Sequence, residues 1–79
     1  MLSQKEKLLL LIERNKLKGI SEIGRQVYST NKSCYDVIYE FQNKGFIEII
    51  SIKNKLVPVL TLIGQEEVDN IKEKLLFDS

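Results

Sequence analysis

The chain has no histidine and no tryptophan, and only one cysteine, one proline and one methionine. Without histidine, the commonest general base and a principal zinc ligand are both missing. A lone thiol cannot close an internal disulfide. Cys34 falls on an apolar helical stripe, where a core thiol is expected rather than a ligand or nucleophile. No glycine-rich phosphate loop of either common type occurs. The acids Glu66, Glu67, Asp69 and Glu73 spread over one helix surface and do not form a catalytic pair. Neither catalysis, a metal nor a cofactor is therefore expected, and nothing in these residues names a small-molecule effector. The longest apolar run, Leu8 to Ile12, has five residues, against about 20 for a membrane-crossing helix. No signal-peptide pattern opens the chain, so the cytoplasm is the expected compartment.

What is present describes one small globular unit. The 79 residues are 43% apolar and 29% charged, an ordinary soluble composition, and they read as a single domain over residues 1–79. A chain of this length buries only about 60% of the surface its unfolded form exposes, so the core is small and a partner subunit would help. The net charge is +1, but it is unevenly spread. Between Arg14 and Lys55 eight cations meet four acids, and from Leu56 onward two lysines meet five acids. A basic middle with an acidic tail suits a domain that turns one end to a polyanion; the alternative is a mixed solvated surface.

Local patterns give the elements. Ser3 and Glu6 form a capping box that opens a helix over about residues 3–16. Its Leu8–Ile12 run is apolar on nearly every side, so it must be covered all round. Asn15 to Gly19 closes this helix with cations and a glycine. Ile20 is expected to be a short extended segment, and Ser21 to cap a second helix to about Tyr28 with Ile23 and Val27 inward. Gly24 costs about 1 kcal/mol relative to alanine within a helix, which points to a close approach of two helices there. A third helix starts at Thr30 and stops at Gly45. Cys34, Val37, Ile38 and Phe41 recur at i, i+3, i+4 and i+7 as its buried stripe, leaving Lys32, Tyr35, Asp36, Tyr39 and Asn43 facing out. Residues 46–62 are rich in Ile, Val and Thr and read as a β-hairpin with Lys53-Asn54-Lys55 at its tip. Pro58 must then lie on an edge or at a non-bonded position. The strands carry Ile47 and Ile49 on one parity and Phe46, Ile50 and Ile52 on the other, so one apolar face stays open unless something covers it. A last helix is predicted from Gln65 to about Phe77, with Glu66 and Glu67 in its first turn and a seam of Val68, Ile71 and Leu75.

The segment Ile20 to Gly45 resembles the helix-turn-helix of small winged-helix regulators of the MarR and PadR type. The matching residues are Ile20, Ser21, Glu22, Ile23, Gly24, Thr30, Val37, Ile38, Phe41 and Lys44-Gly45-Phe46-Ile47-Glu48, followed by Leu60-Thr61-Leu62-Ile63-Gly64 after the hairpin. At the turn, Tyr28 and Ser29 stand where that family commonly has glycine and an apolar residue. The resemblance implies an α+β, mainly α fold: a three-helix core, a two-stranded β wing and a C-terminal helix. It also implies a DNA-binding transcription regulator acting as a homodimer through its first and last helices, here Leu9, Ile12, Val68, Ile71 and Leu75.

Duplex DNA binding asks for a helix that fits the ~12 Å major groove, polar side chains for base edges, and cations for phosphates. Asn31, Lys32 and Ser33 lie near the start of the third helix, where free N–H groups favour an anion. Tyr35 and Tyr39 can reach phosphates by their hydroxyls or lie against sugars and thymine methyls. Asp36 would have to accept from a cytosine amino group or be neutralised by Lys32. Arg25 is a candidate phosphate contact or a solubilising surface residue, and Asn43 ends the outward face. Lys53, Asn54 and Lys55 would ride on the backbone. The competing reading is a protein-interaction module on the same scaffold without DNA.

Overall fold

A computed structural model describes residues 2–78. Its elements run α1 (Gln4–Arg14), α2 (Ile20–Gly24), α3 (Asn31–Asn43), β1 (Ile47–Ile52), β2 (Lys55–Leu60) and α4 (Leu62–Asp78). The fold is α+β and mainly helical, with one two-stranded antiparallel sheet.

Helix α1 begins as its capping box requires. The Glu6 amide donates to Ser3 Oγ at 3.1 Å and the Ser3 amide to Glu6 Oε1 at 3.0 Å. Leu8, Leu9 and Ile12 are buried, with Leu10 and Leu11 packed at the margin of the core. The apolar run is thus covered within one chain. The residue that turns the chain after α1 is Leu17, at φ 69°. Gly19 has φ −69° and caps α2 instead, so the glycine after the helix does not supply the left-handed step.

Ile20 is not extended. The Ile23 amide bonds to the Gly19 carbonyl at 3.1 Å, which makes Ile20 the first helical residue and buries its side chain. Helix α2 is also shorter than predicted: Gln26, Val27 and Tyr28 turn back onto the carbonyls of Ile23 and Gly24. Gly24 marks a close helix contact, as its unfavourable propensity suggests. A Cβ there would lie 2.2 Å from Cys34 Sγ.

In α3, Thr30 Oγ1 accepts from the Ser33 amide at 3.2 Å. Cys34, Val37, Ile38 and Phe41 are all buried, and Gly45 takes the left-handed conformation at φ 79°, which glycine adopts without a Cβ clash. The hairpin turns on Lys53 and Asn54, both at positive φ, the geometry of a two-residue loop matched to the twist of its strands. Ile49 stands opposite Pro58. Bonded and non-bonded pairs alternate in an antiparallel ladder, and the bond from the Thr61 amide to the Phe46 carbonyl at 3.0 Å sets the phase. Pro58 therefore falls on a non-bonded pair, where its missing N–H is not needed.

Helix α4 starts three residues before the predicted Gln65. Thr61 explains this: its hydroxyl accepts from the Gly64 amide at 3.1 Å and donates to the Gly45 carbonyl. Glu66 and Glu67 consequently stand beyond the first turn. Val68 and Ile71 are buried, while Leu75 is 40% and Phe77 83% exposed, because the end of α4 runs past the core. No helix among the described residues is long and apolar enough to cross a membrane.

Candidate nucleic-acid interface

The outward side of α3 follows from its inward side. At ~100° per residue, the line opposite the four buried residues runs through Lys32, Asp36, Tyr39 and Asn43, and all four are exposed. Asn31 and Ser33 are exposed at the first turn, where the Thr30 hydroxyl donates to Ser33 Oγ at 2.9 Å. Tyr35 lies to one flank and is half-buried, with its ring centroid 6.2 Å from that of Tyr39 and the planes tilted by 39°.

The hairpin tip reaches this flank. Tyr35, the first turn of α2 and Asn54, Lys55 and Leu56 line one cleft of about 360 Å³. Lys53 and Asn54 are exposed at the tip. The hairpin tip therefore stands beside the Tyr35 flank of α3. Arg25, at the end of α2, is exposed and has no ion pair among the described residues. Of the candidate contacts, Asn31, Lys32, Ser33, Tyr35, Asp36 and Tyr39 lie on α3 and Lys53, Asn54 and Lys55 on the hairpin, while Arg25 stands at the end of α2. Asn43 lies about 18 Å along the axis from Asn31, at 1.5 Å per residue.

One participant has no signature in the sequence. Glu22 accepts from Lys55 Nζ at 2.8 Å, so Lys55 is not a free cation. The hydrogen bond from Lys55, and then its charge, hold the Glu22 carboxyl below the ordinary carboxylate range. Thirty-three positions separate the two, and no local spacing signals the pair. Lys32 and Asp36 are the pair that helical spacing favours, yet they form no ion pair among the described residues.

Leu9, Ile12, Val68 and Ile71 require correction as dimer-interface residues. Each is at most 3% exposed in the single chain, because α1 and α4 pack these side chains against each other and against the core. Of that set only Leu75 remains available. Cys34 is core as expected: buried, with Sγ 3.8 Å from the Ile20 carbonyl and its thiol pKa pushed up by desolvation. No group of His, Cys, Asp or Glu suited to hold a metal ion occurs among the described residues.

No protein-family model matches the chain, and no curated protein matches it. Its likeness lies among solved structures. The chain is folded like AF1382 from Archaeoglobus fulgidus. The TM-score to that crystal structure is 0.81 at 20% sequence identity, over 96% of this chain and 87% of AF1382. At that identity, AF1382 speaks to the arrangement of elements alone.

The ion pairs predict the pH profile. Glu6 is held below the ordinary carboxylate value by the Ser3 amide and Lys74, Glu13 by Gln65 and Lys72, Glu22 by Lys55, and Glu40 by Lys5 and Lys44. A depressed folded pKa contributes stability above the unfolded value of about 4.3, and that contribution is lost as pH falls through the folded pKa. The raised Cys34 thiol works oppositely, losing its contribution as pH rises above about 8.5. With no histidine, the urea midpoint should change little between about pH 5.5 and 8 and drop below about pH 4.5. A midpoint that rose on acidification would contradict these contacts.

Proposed function

We propose that the chain is a sequence-specific, duplex-DNA-binding transcription regulator of the winged helix-turn-helix type. In this reading α3 enters the major groove, the β1–β2 hairpin rides on the phosphate backbone as the wing, and the protein works in the cytoplasm as a homodimer on two half-sites about one turn apart. The observation that carries the reading is the hairpin tip standing beside the Tyr35 flank of α3, a helix whose Lys32, Asp36, Tyr39 and Asn43 are exposed. A groove-binding helix flanked by a cationic tip supplies both base and phosphate contacts. The fold neighbour is compatible with this but says nothing of DNA.

The test is duplex binding across a salt series with light scattering of the complex. Lys53→Ala with Lys55→Ala should weaken binding to every duplex and lower the log–log salt slope by about 0.9 for each phosphate no longer neutralised. Lys53→Ala alone should give most of the change, because Glu22 already neutralises Lys55. Unchanged affinity at every salt concentration would remove the tip from the interface. Two chains per duplex are expected.

A protein-interaction module is the second reading. Ile50, Leu62 and Ile63, 39%, 79% and 55% exposed, surround a shallow hollow of about 790 Å³ at the foot of β1 and the start of α4. Exposed apolar clusters of this kind mark protein contacts. Light scattering that showed a stable protein complex, without salt-sensitive retention of DNA, would favour it.

A further inference from the structure

The outermost line of α3 is short of cationic donors. It contains no arginine, and Lys32, its one cation, sits in the first turn, with the uncompensated carboxylate of Asp36 one turn further on. Tyr39 is 51% exposed on the same line, its ring set against that of half-buried Tyr35.

We propose that this face selects A·T pairs beneath the middle of α3, with a thymine C5-methyl against the Tyr39 ring and an adenine N6 amino group donating to Asp36. The proposal rests on the duplex-DNA reading above and names what that site reads. Guanine offers the major groove only acceptors, N7 and O6, and is usually read by arginine or lysine. A carboxylate over guanine would set acceptor against acceptor with no proton between them. A cytosine amino group, the partner expected for Asp36 from the sequence, would satisfy the carboxylate as well, but a G·C pair carries no methyl for the Tyr39 ring, and it is the ring that favours A·T. An A·T pair supplies both the donor and the methyl. The far end of the face agrees, since asparagine pairs in bidentate fashion with adenine and Asn43 is exposed on that line. The contact with Tyr35 limits the rotamers of Tyr39 before DNA arrives, which lowers the ordering cost of using it.

Selection from randomised duplexes at two salt concentrations, followed by the selected duplex made with deoxyuridine in place of thymidine, tests this. Deoxyuridine removes the methyl and keeps the base-pair hydrogen bonds. The expected result is an A·T core in the selected sequences and binding weaker by about fourfold for each methyl removed from beneath the ring, the equivalent of one CH₂ burial. Tyr39→Phe should keep the discrimination, and Tyr39→Ala should abolish it while melting as the wild type does. A G·C core, or equal affinity for the two duplexes, overturns the proposal and leaves the DNA reading standing. Absence of salt-sensitive duplex retention overturns the DNA reading and the proposal with it.

Discussion

Gly64→Ala should cost about 3 kcal/mol of stability, near the upper end for inserting a single methyl group into a packed site. A Cβ at Gly64 would lie 1.9 Å from the Phe46 carbonyl oxygen and 2.8 Å from its carbonyl carbon. Both are backbone atoms, so no side chain can rotate away. That carbonyl already accepts the Thr61 amide at 3.0 Å, and moving it would break the link between the hairpin and the first turn of α4. The higher helix propensity of alanine returns at most about 1 kcal/mol. A domain of this length is stable by roughly 4–12 kcal/mol, so the loss is a large share of the whole. With a urea slope of about 1 kcal/mol/M, the midpoint should fall by some 2–3 M. A fall below about 0.5 M would mean that α4 can shift as a body to admit the methyl group.

Gly24→Ala should cost less, about 1–2 kcal/mol after the gain in helix propensity. Here the added Cβ meets a side chain, lying 2.2 Å from Cys34 Sγ and 2.9 Å from Cys34 Cβ. The sulfur is buried, so its escape routes are few, but it can be removed. Cys34→Ala alone should cost about 1 kcal/mol for the lost buried volume. Combined with Gly24→Ala, it should recover part of the loss, giving a coupling of about 1 kcal/mol in a double-mutant cycle. The remaining 2.9 Å approach to Cys34 Cβ should keep the double variant below Cys34→Ala. Strictly additive effects would show that the α2–α3 distance is not set by this contact.

These two glycines separate what was legible from what was not. Gly24 could be flagged because a glycine within a helical pattern is unfavourable and must be offset by proximity. Gly64 could be flagged only as part of Leu60-Thr61-Leu62-Ile63-Gly64, a likeness without a cause. The cause is a tertiary contact: Thr61 caps α4 while bonding to Gly45, and Gly64 lets the first turn of α4 lie on Phe46. The same cap moves the start of α4 to Leu62, ahead of the position that Glu66 and Glu67 suggest. At the other end, the glycine that closes the α1 pattern serves α2 instead: Gly19 caps α2 at φ −69°, and Leu17 takes the left-handed step.

The candidate interface divides in a similar way. Of the residues expected to face outward on α3, Lys32, Asp36, Tyr39 and Asn43 were readable from the period of its buried stripe, whereas Tyr35 lies at the flank and packs partly against the core. The Lys53-Asn54 tip was readable because asparagine tolerates positive φ between two runs of β-branched residues. That the tip should stand beside Tyr35, and that Glu22 should hold Lys55, was not readable, since neither follows from spacing along the chain.

The amino-acid sequence by itself determined what acts over one or two turns: the Ser3 and Thr30 caps, the stripe from Cys34 to Phe41, the stop at Gly45 and a hairpin turning near Lys53-Asn54-Lys55, of which the structure gives Lys55 to β2. These depend on dihedral preferences and hydrogen bonds between near neighbours, which any folded context leaves in place. Only the tertiary structure decided that Leu9, Ile12, Val68 and Ile71 are buried inside one chain, that Lys55 is paired with Glu22, and that α4 begins at Leu62. Each of these depends on which distant groups arrive at van der Waals or hydrogen-bond distance, and that is fixed when the elements pack together.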